Sequence, residues 1–383
     1  MNGHLMTLWA WARRRSFPGL PAPAPRLFQV SPDAKVLAHC HWQPAPSSHP
    51  TLIALHGLEG SSTAHYMAGL ADKAWAAGFN VVRLNQRNCG GTEHLSSTLY
   101  HSGLSADVDV VLRELAAQGH AHIGIVGYSL GGNLALKLAG DYGQAAPDAL
   151  KAVVAISPVM DLPGCVEALE RRANAIYQWN FVRNLKARMR RKAAAFPDRF
   201  SVEALARVRT VRDFDELYTA PHFGYESAAD YYYRAAALRV VDRIRVPALV
   251  LSAADDPFVP PDPFSDPALR GNAHVTVQIS PHGGHCAFVS AANGVHDGYW
   301  AEWSAVGFLR NQVEQGSGGA GGSEGAGGSV LKVPRVLKVP VLKVPVLKVS
   351  PVLRCSTGLF GQGGFQRRSW TRRSGDSAIT AAG

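Results

Sequence analysis

Cysteine is scarce in this 383-residue chain: five residues, at 40, 89, 165, 286 and 355, with no Cys-x-x-Cys pair. An odd, scattered set excludes a disulfide framework and a closed thiolate metal site, and it points to a reducing compartment, with cytoplasm as the expectation. Long hydrophobic runs are also missing. The apolar stretch 5–12 stops at Arg13, Arg14 and Arg15, and it is too short to span a bilayer or to resemble a signal peptide. Trp9 and Trp11 leave peripheral membrane contact as the reading for that segment. Carboxylates are few enough to leave a formal charge of +10, but after residue 312 ten Lys/Arg face only three Asp/Glu. The body of the chain is therefore close to neutral, and no nucleic-acid module or stacked-aromatic pattern accompanies the charge, which excludes nucleic acid as a partner.

Short apolar runs are what the chain does have. Residues 27–30, 36–42, 52–55, 81–84, 123–126, 152–156, 248–251 and 275–279 read as strands, and they alternate with helical stretches such as 65–77 and 104–117. Alternation of this kind predicts an α/β fold with a mainly parallel sheet covered on both faces. The expected division is an amino-terminal extension over 1–27, one α/β domain over 28–312, and a basic low-complexity tail over 313–383. Within the domain, 161–245 holds no convincing strand and reads as a helical cap. Its many arginines and lysines, Arg183, Arg188, Arg191 and Lys192 among them, suit a solvated face or contact with anionic lipid headgroups. Tyr231, Tyr232 and Tyr233, with Trp179 and Phe181, are expected to pack the cap on the core. In the tail, a Gly/Ser linker over 316–329 leads to a Val-Leu-Lys-Val-Pro pentad whose recurring proline bars both helix and ladder, so an extended or disordered segment is expected. The abrupt change of composition equally admits a carboxyl terminus foreign to the domain.

The chemistry concentrates at Gly127-Tyr128-Ser129-Leu130-Gly131, which sits between the apolar run 123–126 and a helical pattern opening at Asn133. A strand, a sharp turn with glycines two residues either side of a serine, and an alanine- and leucine-rich helix describe a nucleophile elbow. A serine hydroxyl is a poor nucleophile at neutral pH. It needs a histidine base, a carboxylate to orient that base, and N–H donors for the developing oxyanion.

His285 is placed as the base, in the Pro281-His282-Gly283-Gly284-His285 loop after the last strand run, and His282 reads as a loop histidine. A metal pair from His282 and His285 is the rival, although no further ligand completes a set nearby. Asp256 follows the run 248–251 and is the expected acid, with Asp255 satisfying loop N–H groups; Asp161 is the alternative acid. The backbone N–H groups of Leu58, in His56-Gly57-Leu58-Glu59-Gly60, and of Leu130 are the expected oxyanion donors.

Together with Tyr100-His101-Ser102-Gly103, Asp107 and Asp255-Asp256-Pro257-Phe258, these motifs resemble the YheT-like branch of the α/β-hydrolases. That branch includes acylglycerol and phospholipid hydrolases and ethanol acyltransferases in eukaryotes. The resemblance covers most of 28–312 and departs from the family pattern at Asn88 and at Cys286-Ala287. It implies an α/β-hydrolase fold with a triad of Ser129, Asp256 and His285. The expected activity is cofactor-independent hydrolysis of carboxylic esters, acylglycerol or lipid-like substrates included. Transfer of the acyl group to an alcohol, a non-catalytic binding protein and a metal-dependent hydrolase are the other classes the sequence leaves open.

Overall fold

The computed structural model of the protein describes residues 2–292 and 297–317. Eight strands, β1 (Ala24–Ser31), β2 (Ala34–His41), β3 (Thr51–Leu55), β4 (Asn80–Leu84), β5 (Ile123–Tyr128), β6 (Leu150–Ile156), β7 (Ala248–Ala253) and β8 (Val275–Ser280), form one sheet in the order 1-2-4-3-5-6-7-8. β1 and β2 pair antiparallel at one edge, and β2 joins β4 antiparallel. From β4 across to β8 every pairing is parallel. All eight expected strands are present.

The pleat sorts side chains to two faces. Ile53, Leu55, Val82, Leu84, Ile125 and Val153 belong to one buried cluster, and their neighbours Leu52, Ala54, Val81, Val126, Ala152 and Val154 to another. Burial on both faces is why these strands read as continuous apolar runs. The helices, in chain order, are α1 (Gly3–Ala12), α2 (His65–Ala76), α3 (Ala106–Ala117), α4 (Leu130–Tyr142), α5 (Leu162–Leu169), α6 (Ala175–Ala195), α7 (Val211–Phe214), α8 (Ala220–Phe223), α9 (Ala228–Ala235), α10 (Pro267–Arg270) and α11 (Trp300–Ser317). Met67, Leu70, Ala71 and Ala74 give α2 an i, i+3, i+4, i+7 stripe that packs with α11 on one sheet face. α3 and α4 cover the other through Val108, Val111, Leu112, Leu134 and Leu138.

Between β6 and β7 the described chain is helical, from α5 to α9. A single π-turn, Asp215–Thr219, joins α7 to α8. Two boundaries differ from the sequence reading. α4 opens at Leu130 and not at Asn133, with Gly131 and Gly132 in its first turn, where a Cβ on Gly131 would lie 2.5 Å from the Leu55 carbonyl oxygen. α11 runs to Ser317, past the boundary expected at 312, and an Arg310–Glu314 pair one turn apart spans that point. The pentad repeat lies outside the described residues.

Candidate active site

Ser129 stands between β5 and α4 with φ 53° and ψ −114°, a conformation that strains any residue bearing a side chain. The flanking glycines are obligatory for steric reasons. A Cβ on Gly127 would lie 2.0 Å from the Gly131 carbonyl oxygen, and one on Gly131 would lie 2.5 Å from that of Leu55. The turn is pinned by Ser129 N–H donating to the Ile156 carbonyl at 2.8 Å and by Asn133 N–H donating to the Ser129 carbonyl at 3.1 Å. The Ser129 hydroxyl has no hydrogen-bond partner among the described residues, a common state of such a group before substrate binds.

The loop after β3 lies against this turn, for a Cβ on Gly57 would meet Ser129 Cβ at 3.1 Å. His56 anchors it. Gln86 N–H donates to His56 Nε2 at 3.1 Å, so the proton sits on Nδ1, which donates to the Gly57 carbonyl at 2.8 Å. Burial pushes His56 down to about 4, keeping it neutral for this role. The N–H groups of Gly57, Glu59 and Gly60 donate to Tyr66 Oη, Tyr100 Oη and the Gly57 carbonyl respectively. That of Leu58 has no partner among the described residues. The N–H of Leu130 opens α4 and belongs to the donors that a helix start leaves unpaired.

Asp256 follows β7 and is completely buried at its side chain. Its Oδ1 accepts from the N–H groups of Phe258 and Val259 at 3.1 and 3.0 Å, and its Oδ2 lies 2.9 Å from His285 Nδ1. A carboxylate so paired only accepts, so in the neutral imidazole the proton is on Nδ1 and Nε2 carries the free lone pair. Burial by itself lowers the affinity of His285 for a second proton, whereas Cys286 and the Asp256 carboxylate raise it, and the balance is upward. Phe258 packs on the imidazole with ring centroids 4.1 Å apart. Asp255 accepts from Gly283 and Gly284 N–H at 2.8 and 2.9 Å, the loop-satisfying role expected of it. His282 is an exposed loop residue 3.2 Å from Asp255. Asp161 sits at the start of α5, away from His285 in its hydrogen bonding. No cluster of three or more His, Cys, Asp or Glu suited to a metal exists among the described residues.

Two cavities meet at Ser129. The outer, of about 690 Å³, is lined by Ser129, His285, Leu58, Cys286 and the first turns of α6. The inner, of about 80 Å³, runs under the cap past Leu130, Leu162, Val166, Leu169 and Phe214. Ser129, Leu58, Phe181 and Phe258 border both.

Several residues here were misread or missed in the sequence. Arg188 and Lys192 do not belong to a solvated cap face: both are buried. Arg188 Nε pairs with Glu59 of the loop at 2.7 Å and Lys192 Nζ donates to the carbonyls of Glu93 and Ser96. Arg191 is exposed but pairs with Glu93 at 2.6 Å. These contacts join residues about a hundred positions apart, so no local pattern could announce them. Tyr231 and Tyr232 do pack the cap, whereas Tyr233 and Trp179 are exposed. The amino-terminal extension is part of the site. Thr7 Oγ1 accepts from His285 N–H at 2.8 Å, Met6 and Ala10 pack against Ala287, and His4 stacks on Tyr177 of α6. Asn88 and Cys286, the two departures from the family pattern, have φ of 63° and 60°. The left-handed region favours glycine, and asparagine is among the few other residues that enter it readily.

Residues 50–292 match the family described by the α/β hydrolase fold. YheT of Escherichia coli, which carries an esterase name, is 36% identical over 279 residues, covering 71% of this chain and 80% of that protein. Phospholipase ABHD3 of Mus musculus is 27% identical over 245 residues, covering 63% of this chain and 59% of that protein. The solved 2,6-dihydroxy-pseudo-oxynicotine hydrolase superposes with a TM-score of 0.52 at 18% identity, covering 78% of this chain and 69% of that one, a likeness of fold alone. On its own strand order and on these matches, the chain belongs to the α/β-hydrolase fold family.

Proposed function

We propose that the protein is a carboxylic ester hydrolase that works through Ser129, His285 and Asp256. One observation carries the reading: a strained serine shares a cavity with a histidine whose Nδ1 proton is held by a fully buried carboxylate, leaving Nε2 free to act as base. Ser129 Oγ attacks the ester carbonyl carbon as His285 Nε2 takes the hydroxyl proton. The carbonyl oxygen, now negative, receives the Leu58 and Leu130 N–H groups, and collapse expels the alcohol with the proton from His285. Water then repeats the sequence on the acyl-enzyme and frees the acid and Ser129. Asp256 stays ionised and stabilises the imidazolium formed in each half.

The inner cavity, with apolar walls from the cap, suits a short to medium acyl chain, and the outer one suits the alcohol side of the ester. Ser129→Ala should abolish both labelling by a fluorophosphonate probe and hydrolysis of p-nitrophenyl esters. Retention of both by a folded Ser129→Ala protein would overturn the reading. Added ethanol or glycerol tests the second fate of the acyl-enzyme, since an acyl ester formed faster than free acid would mark a transferase.

A further inference from the structure

We propose that the mouth of the outer cavity is a docking surface for an anionic phospholipid bilayer, built from α1 and α6. The inference deepens the proposed ester hydrolysis, by naming where a lipid substrate enters, and rests on it to that extent. Among the described residues eight large apolar side chains are exposed, and five of them, Leu5, Trp9, Trp11, Ile176 and Trp179, lie on these two helices. Trp11, Ile176 and Trp179 also line the cavity that holds Ser129 and His285. The two helices touch through the His4–Tyr177 stack, so their apolar faces are brought together at one opening.

The helix phases explain the exposure. On α1, Gly3, Met6 and Ala10 are buried, with Gly3 so close to Asp255 that a Cβ would lie 1.7 Å from its carbonyl oxygen. Leu5 and Trp9, one turn apart, therefore point away from the core. On α6, Tyr177 and Leu185 turn inward and leave Ile176, Trp179 and Arg183 outside.

Charge selects the occupant. Neither residues 2–20 nor residues 171–197 contain any Asp or Glu, so both segments are free of side-chain carboxylates. Arg13, Arg14, Arg172 and Arg183 are exposed and unpaired with any carboxylate of the described residues. Each helix repeats the same device, a tryptophan with an arginine one turn on: Arg13 lies 4.6 Å over the Trp9 ring and Arg183 lies 5.1 Å over Trp179. Tryptophan beside arginine, flanking an apolar face, matches the headgroup layer of an anionic membrane, where the rings reach the acyl boundary and the guanidinium groups meet phosphate. Such docking would set the cavity mouth on the layer that holds lipid esters.

The test sediments the full chain with phosphatidylcholine vesicles, with and without phosphatidylglycerol. Wild type and Ser129→Ala should bind the anionic vesicles alike. In Arg13→Gln/Arg183→Gln the partition constant should fall about 25-fold, at roughly fivefold per arginine, with soluble-ester turnover and melting temperature unchanged. Trp11→Ser/Trp179→Ser should lose binding as well. Three results overturn the proposal: no sedimentation of wild type, both double variants binding as wild type does because the basic tail carries the contact, or a dimer in light scattering that Trp11→Ser/Trp179→Ser dissolves. Loss of vesicle binding leaves the serine reading intact, and turnover by Ser129→Ala would sink that reading without touching this one.

Discussion

Arg188→Met should cost both stability and turnover, through the loop that carries Leu58. Glu59 follows Leu58 directly, with φ at 55°, and its carboxylate is held by Arg188 Nε at 2.7 Å and by the Tyr100 hydroxyl at 3.1 Å. Both ion-pair side chains are almost wholly buried, at 3% and 6% exposure. Removing the guanidinium leaves a carboxylate buried without its counter-charge, which costs about 3–5 kcal/mol. In a domain of this size that lowers the melting temperature by on the order of 10 °C. Release of the Glu59 side chain also frees the neighbouring Leu58 N–H to move, and loss of one oxyanion donor costs ~10²–10³ in kcat, so the fall in turnover should approach that range with KM little changed. The assay is a double-mutant cycle read by thermal melting and by steady-state hydrolysis of a short p-nitrophenyl ester. Glu59→Gln/Arg188→Met, which removes both charges, should be more stable than Arg188→Met alone. An Arg188→Met protein that melts with wild type refutes the energetic argument. One that melts early but turns over normally shows that the pair does not hold the donor in place.

Asp215, half-buried and hydrogen-bonded by Thr219 and Tyr232, is pushed up from 3.8 to about 6 by desolvation of its carboxylate. The folded state therefore holds this proton more tightly than the unfolded one, and the stability it contributes at acid pH is lost as pH rises through about 6. Asp215→Asn should gain on wild type over that window by on the order of 3 kcal/mol, measured by denaturant melts at stepped pH; a gap that does not change with pH refutes the assignment. Because the environment of His285 raises its proton affinity, the acid limb of kcat/KM should lie above the ordinary histidine range. Asp256→Asn should move that limb to lower pH while cutting kcat by ~10⁴, and a limb that stays in place would remove Asp256 from the proposed role. Val166→Trp should fill the inner cavity and abolish hydrolysis of longer acyl esters while sparing acetate, and an unchanged chain-length profile would place the acyl group elsewhere. Cys286, the one described cysteine that is not buried, lines the cavity beside His285. Alkylating it should block turnover, with a bound product-like acid giving protection; inactivation that persists in Cys286→Ala would point to another group.

The strands were legible in the sequence because each is buried on both faces, which forces a continuous apolar run whatever its neighbours are. The elbow was legible for a related reason. Gly127 and Gly131 face backbone within van der Waals radii, so their spacing about Ser129 is a steric requirement written in consecutive residues. Asp256 and His285 could be placed because they close strands β7 and β8, and in a parallel sheet the carboxyl ends of the strands gather at one edge.

What the sequence by itself determined is therefore the local part: the order of strands and helices, the turn at Ser129 and the strand ends that bear Asp256 and His285. Tertiary structure alone decided the rest. It turned Arg188 from an apparent surface charge into the partner of Glu59, brought Thr7 to the backbone of His285 across nearly the whole domain, and set Trp11 and Trp179 on one opening. Charge and hydropathy state what a side chain can do in water. Whether it meets water, a carboxylate or a neighbouring helix depends on contacts between residues far apart in the chain, and no window of sequence contains both partners.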